Sequence, residues 1–192
     1  MALVTVTYLE LLDPTELIPS SKPLPADARI ERVDQITPEF SRFLYLGVGS
    51  ELNWADRLVL TRAQWDEQLQ RPGSETHVLY RNGAPQGYIE LASSRGAAGT
   101  DVEVFYFGLF PQATGQGLGG ALLTEGILRA WSLHEREPAL APVSRIWLHT
   151  CSLDGPAALP NYLARGFRVY RSEEEQTQVL DPSMDLWPAG AN

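Results

Sequence analysis

Residues Thr114-Gly115-Gln116-Gly117-Leu118-Gly119-Gly120 gather small side chains where an apolar strand run, DVEVFYFGLF at 101–110, hands over to a helical run, LGGALLTEGILRAW. Glycines at such a junction let backbone N–H groups converge, and a new helix turns its unpaired amides toward the same point. Holding a phosphate or diphosphate is the chemistry that suits this turn; close helix packing or a flexible turn is the alternative. Glu103 interrupts the apolar strand and is a candidate proton acceptor, with a solvent-facing carboxylate as the other reading. His149 falls at the exit of a second strand run, SRIWLHT, and Asp154 in the turn behind it. The two can bind a substrate or carry a proton, although an exposed histidine and a capping aspartate explain them as well. Cys151 stands nearby without a base and an orienting group, which argues against a covalent cysteine route.

Other nucleotide turns fit poorly. A Walker turn needs Lys and Ser/Thr after its glycines, and neither follows here. A dinucleotide fold begins at its glycine turn and carries an acidic residue at the end of the next strand. Here the turn lies mid-chain, and Glu135 and Glu137 precede the next strand.

The elements that must position these groups read as an α/β order. Val4–Leu12 reads as a strand, and Pro14, Pro19, Pro23 and Pro25 then make residues 13–37 a proline-rich surface crossing rather than a helix or a central strand. A helix opens at Pro38, and a second is capped by Thr61 and runs to about Gln70. Strands follow at Thr76–Arg81 and Gln86–Leu91 across an Asn82-Gly83 reversal, then SSRGAAGT as a loop and the strand Asp101–Phe110. The helix from Leu118 carries Leu122, Leu123, Gly126, Ile127 and Ala130 on one arc, with Gly126 allowing a close neighbour. Ser144–Thr150 is the next strand, a short helix runs from Pro160 to Gly166, and strands at Phe167–Arg171 and Thr177–Leu180 end the chain. A right-handed crossover sets 101–110 and 144–150 side by side and parallel. Residues 1–192 are read as one domain.

Composition narrows the partners. The chain has 192 residues, 44% hydrophobic and 20% charged, with 24 acidic against 15 basic side chains and a net charge of −9. That suits a folded soluble domain and a cationic partner such as an amine, and with no Lys/Arg block it argues against nucleic acid. One cysteine excludes an intrachain disulfide and a cysteine-rich metal site. Glu10 and Asp13 break the initial apolar run and no basic segment precedes it, so we expect no signal peptide, no membrane association and a cytoplasmic location.

Across residues 101–170 the succession DVEVFYFGLFP, TGQGLGGALL, SRIWLHT and NYLARGF resembles the GCN5-related N-acetyltransferase superfamily. The resemblance implies an acyl-CoA N-acyltransferase-like fold, a mixed, splayed central sheet flanked by helices, with acetyl-CoA as acyl donor and no metal. It assigns the diphosphate to the backbone of Gly115, Gln116, Gly117, Leu118, Gly119 and Gly120, and the pantetheine arm to the strand end Phe107, Gly108 and Leu109. The backbone of Leu109 would polarise the acyl oxygen. Glu103 matches the catalytic glutamate of some members, acting directly or through an ordered water, while other members use different bases; Tyr162 matches the family's tyrosine, the candidate acid for the departing thiolate. Aromatic packing is the alternative for Phe107 and Tyr162. One position departs from the motif: Thr114 stands where the family carries Gln or Arg, and Gln112 is out of register.

The acceptor site is sketched more faintly. Glu51, Trp54 and Asp56 form an acidic-aromatic segment able to hold a cation, and Glu90, His149 and Asp154 are further candidate substrate contacts; packing and exposed strand positions are the alternatives. The implied function is acetyl transfer to a primary amine of a small molecule or peptide, by direct attack in a ternary complex. A noncatalytic acyl-CoA-binding regulatory or assembly module is the competing expectation, and a non-CoA oxidoreductase a more remote one. An exposed strand edge would also serve a homodimer.

Overall fold

The computed structural model describes residues 2–49 and 52–177. Among these residues, seven strands make one sheet in the order β2-β3-β4-β5-β6-β1-β7. They are β1 (Ala2–Leu11), β2 (Ala28–Arg32), β3 (Glu75–Arg81), β4 (Ala84–Arg95), β5 (Thr100–Leu109), β6 (Val143–Cys151) and β7 (Arg168–Thr177). Every neighbouring pair is antiparallel except β5 and β6, which run parallel. Helices α1 (Pro38–Gly49) and α2 (Arg62–Leu69) cover one face; α3 (Leu118–Trp131) covers the other, followed by the short α4 (Leu133–Arg136) and α5 (Ala158–Ala164). No helix among the described residues is long and apolar enough to cross a membrane.

Local chemistry sets most boundaries. Pro38 opens α1, and Thr61 caps α2 reciprocally with Gln64. Asn82 and Gly83, at φ 51° and 83°, form the two-residue turn between paired Arg81 and Ala84. Pro85 is accommodated by a register shift there, and the Gln86 carbonyl is taken by the Phe110 N–H at 2.9 Å. Leu118, Leu122, Leu123, Ile127 and Ala130 of α3 are buried against Leu9, Ile89, Leu91, Val102, Val104, Ile146 and Leu148. Gly126 lets the helix settle on Ile89, whose Cδ1 would lie 2.3 Å from a Cβ at that position. Each such aliphatic side chain contributes about 1.5–3 kcal/mol by leaving water. On the opposite face Leu44, Tyr45, Val48, Trp65, Tyr88, Tyr106 and Phe110 form a second core.

Several expectations need correction. The segment 13–37 also holds a strand, β2, which can form because all four prolines precede it; it lies at the sheet edge, paired with β3. β4 continues to Arg95, paired with Thr100, so the loop after it is shorter than its composition suggests. Helix α5 starts at Ala158, because Pro160 sits in the first turn, where a missing N–H costs no hydrogen bond. β7 runs unbroken to Thr177, and residues 178–180 of the expected last strand lie outside the described residues.

The topology also demands a long crossing. β1 lies between β6 and β7, whereas β2 forms the opposite edge, so four strands separate two elements that are consecutive in the chain. The connecting segment crosses the α3 face. Its Ile18 N–H donates to the Arg165 carbonyl at 3.1 Å, and its Ser20 N–H donates to Thr124 Oγ1 at 3.0 Å.

Glu75 ties the β2 edge to α4. It accepts from Arg136 Nε and Nη2 at 2.8 and 2.9 Å and from Arg32 Nη1 at 3.1 Å, and lies 3.0 Å from His77 Nε2. Burial pushes this carboxyl up, but the hydrogen bonds from His77 and Arg136 outweigh it and hold the pKa at about 2 against an ordinary 4.5. A depressed carboxyl pKa stabilises the fold above the unfolded value, and that stability is lost as pH falls from 4.5 through 2. The full shift corresponds to about 3 kcal/mol. Arg136→Ala is therefore expected to move the acid-unfolding midpoint, read by circular dichroism, to higher pH. A midpoint unchanged from the parent protein would contradict this.

Candidate active site

β5 and β6 pair only from Thr100↔Val143 to Glu103↔Trp147. Beyond that rung β5 continues to Leu109, bonded to β4, and β6 continues to Cys151, bonded to β1. Two strand edges thus diverge around a wedge. A bulge starts the divergence: Val104 pairs with Leu91 and Tyr106 with Glu90, leaving Phe105 as an extra residue that bends β5. The bulge also changes the phase of the strand. Val102 and Val104 face α3, Tyr106 joins the α1 core, and Phe107 and Leu109 return to the α3 face.

The glycine turn sits at the mouth of this wedge. A Cβ at Gly119 would lie 3.7 Å from Leu109, 3.8 Å from Asn161 and 3.9 Å from Phe107, so α3, the end of β5 and α5 converge there. Gly115 and Gly117 have φ of 74° and 78°, a region that L side chains rarely adopt. Gly117 precedes α3 with no side-chain cap, and the first helical turn has no acidic residue. Thr114 and Gln116 turn back on the loop, donating to the carbonyls of Pro111 and Gln112 at 2.8 Å each. Among the described residues, no loop or side-chain acceptor takes an amide hydrogen from Gly115 through Gly120. Leu118 buries its side chain and can offer only its backbone.

Glu103 and His149 flank the point where the strands part. His149 Nδ1 lies 3.4 Å from Glu103 Oε1, with side-chain exposures of 46% and 15%. The Glu103 hydrogen bond raises the His149 pKa above its ordinary 6.5; burial opposes this, and the charges of Glu103, Asp154 and Asp56 add to it. Tyr8 and Trp147 place their rings 5.9 and 6.4 Å from the imidazole. By linkage, this histidine stabilises the fold below pH 6.5 and loses that contribution as pH rises through its raised pKa. Glu103→Gln replaces the carboxylate with a neutral amide that favours the imidazolium far less, so an NMR titration of His149 is expected to shift to lower pH; an unmoved titration would contradict the contact.

The remaining candidates fall in different places. Tyr162 is 6% exposed, between Phe107 and Phe167 at ring distances of 6.0 and 6.3 Å. Its hydroxyl makes no hydrogen bond to the chain among the described residues, and burial pushes its pKa well up, so it stays a proton donor. Asp154 closes the turn after β6, accepting from the Thr150 hydroxyl at 2.5 Å and the Cys151 N–H at 2.9 Å. Asp56 is exposed but oriented, accepting from the Tyr45 hydroxyl at 2.9 Å and from the Tyr106 hydroxyl. Trp54 packs on Tyr45, Tyr88 and Tyr106 rather than standing free. Glu51 lies outside the described residues.

Glu90 is 1% exposed and both its oxygens are bound by Arg57, at 2.8 and 2.5 Å, so its carboxylate is spent inside the protein. Arg57 in turn lies over the rings of Tyr106, Phe105 and Trp65. Nothing local in the sequence marks it as that partner. A cavity of about 230 Å³ on the same sheet face is lined by Arg57, Gln68, Arg71, Ser93, Glu103 and Phe105. Two further cations escaped the sequence reading, Lys22 and Arg165, which lie against Gly117 and Gly120. The available signal was that Lys22 is the chain's only lysine. Among the described residues, no group of three His, Cys, Asp or Glu side chains is placed to hold a metal ion.

Comparison with known proteins agrees with this architecture. Residues 37–167 match the model of the acetyltransferase (GNAT) family. No curated protein matches the chain in sequence. Among solved structures, a GCN5-related N-acetyltransferase from Kribbella flavida is 15% identical with a TM-score of 0.58, over 88% of this chain and 55% of that one. A tandem GNAT protein of the clavulanic acid biosynthesis pathway is 16% identical with a TM-score of 0.55, over 93% and 55%. The chain thus spans about half the length of these two structures. An aminoglycoside acetyltransferase from an uncultured soil metagenomic sample is 16% identical with a TM-score of 0.53, over 80% of this chain and 96% of that one. With the family match covering most of the chain and the splayed sheet in place, the protein belongs to the GNAT acetyltransferase family.

Proposed function

We propose that the protein transfers an acetyl group from acetyl-CoA to a primary amine of a small molecule or peptide, by direct attack in a ternary complex. One observation carries this reading: the open wedge between β5 and β6 runs from the unmatched amides of the α3 turn to the Glu103–His149 pair. The amides of Gly115–Gly120 would hold the diphosphate, and the freed edge of Phe107–Leu109 would hydrogen-bond the pantetheine amides, with the Leu109 backbone polarising the acyl oxygen. Acetyl-CoA supplies an activated acyl group; the chain's own residues manage the protons. Glu103, with His149, accepts a proton from the ammonium, which frees the nitrogen lone pair. The N–C bond forms as the C–S bond breaks; the new amide nitrogen sheds its surplus proton to solvent, the Tyr162 hydroxyl gives the departing sulfur a proton, and solvent reprotonates the tyrosine. Asp56 and Asp154 add negative charge around His149 and favour a cationic acceptor. A cytoplasmic location goes with this reading, since acetyl-CoA is an intracellular metabolite.

The test is a matrix of acyl-CoA donors against polyamines, amino sugars, amino acids and peptide amines, read by both free thiol and product mass. Acceptor-dependent thiol release that matches acetylated product is expected. Saturable CoA binding with no such release across the matrix would instead indicate a cofactor-binding module.

A further inference from the structure

We infer that Lys22, brought over the sheet by the β1–β2 crossing, and Arg165, at the end of α5, clamp the donor's diphosphate against the first turn of α3, a refinement that rests on the acyl-CoA reading of the same site. The crossing is fixed where it passes the turn. Ser20 N–H donates to Thr124 Oγ1, which itself donates to the Gly120 carbonyl at 2.8 Å. Gly166 lets the segment through, since a Cβ there would lie 2.0 Å from the Glu16 carbonyl oxygen. Lys22 is therefore carried to Gly117: a Cβ at that glycine would lie 2.8 Å from Lys22 Cδ and 3.5 Å from its Nζ. Arg165 reaches Gly120, with Nη1 2.6 Å from a Cβ placed there.

The electrostatics of this arrangement are unfavourable without an anion. A helix N-terminus carries a partial positive charge, so a cation beside it is disfavoured. Two cations converge here, yet the first turn of α3 has no acidic residue, and among the described residues neither Lys22 nor Arg165 forms an ion pair. The neighbouring charges are engaged elsewhere. Glu125, which lines a groove of about 330 Å³ with Lys22, pairs with Arg129 at 2.7 Å, and Arg81 pairs with Asp27 at 2.8 Å. The chain has 24 acidic side chains and a net charge of −9, yet among the described residues none of them pairs with Lys22 or Arg165. A diphosphate would complement the two side chains and the open amides together.

Calorimetric titration of the full chain with CoA, dephospho-CoA and acetyl-pantetheine tests the clamp. Lys22→Gln and Arg165→Gln are each expected to weaken CoA and dephospho-CoA alike by about tenfold, with a shallower salt dependence, and to leave acetyl-pantetheine unchanged. Their ligand-free melting temperatures are expected to equal or exceed the parent's, which separates lost binding from lost folding. Parent-like CoA affinity in both variants would overturn the clamp. Weakening confined to CoA, with dephospho-CoA unaffected, would also overturn it by moving the contact to the 3′-phosphate. No CoA binding by the parent protein would overturn the acyl-CoA reading itself, a result distinct from both.

Discussion

Glu103→Gln is expected to lower kcat for amine acetylation by about 10²- to 10³-fold, within the range contributed by a positioned general base. Glutamine keeps the volume and can still hydrogen-bond His149 across the 3.4 Å contact, but it cannot accept a proton at neutral pH. The loss is expected in kcat, with CoA affinity close to the parent value, because Glu103 sits where the strands part and the amides proposed for the diphosphate lie beyond the other end of β5. A second signature accompanies it. Without the carboxylate, the raised His149 pKa falls toward 6.5, so the acid limb of any residual activity moves to lower pH. Steady-state kinetics over a pH series read both effects. A kcat within threefold of the parent, in a folded variant with intact CoA binding, would remove Glu103 from the chemistry.

Gly117→Ala is expected to weaken CoA binding by at least about thirtyfold, while stability falls by about 1–2 kcal/mol, the cost of a left-handed conformation for an L-residue. The φ of 78° imposes the stability loss, and the added methyl lies 2.8 Å from Lys22 Cδ, at the edge of the amide cradle. Gly83→Ala separates the two effects. Gly83 has a similar φ of 83° in the β3–β4 turn, with nothing within 4 Å of an added Cβ. It is expected to lose similar stability and to keep full CoA affinity. Denaturant unfolding and calorimetry on both variants make the comparison, and an equal loss of affinity in the two would mean that the turn is only a fold requirement.

The parts of this site visible in the sequence are those made by neighbours in the chain. The handover from DVEVFYFGLF to TGQGLGGALL shows a strand, a turn and a helix together because period, glycine content and capping all act within a few residues. Glu103 stands out for the same reason, as a charge among apolar strand residues. Tyr162 was found only through resemblance to a family, since its placement beside Phe107 depends on α5 docking onto the sheet. The strand order was not legible. Pairing of β1 between β6 and β7 joins residues more than a hundred positions apart, and no local pattern records it. That pairing is what forces the segment with four prolines across the α3 face and gives Lys22 its place. Glu90 misled for a related reason: its carboxylate looks available in a strand, but Arg57, 33 positions earlier, occupies both oxygens. The Phe105 bulge was likewise hidden, because an apolar run reads the same with or without one extra residue.

Amide hydrogen exchange of the parent protein, with and without acetyl-CoA, tests the wedge most directly. Slowed exchange is predicted together in Gly115–Gly120 and in Phe107–Leu109 as the ligand saturates, with the paired rungs Thr100–Glu103 unchanged. Saturable binding that leaves both segments exchanging at their free rates would show that the donor lies elsewhere.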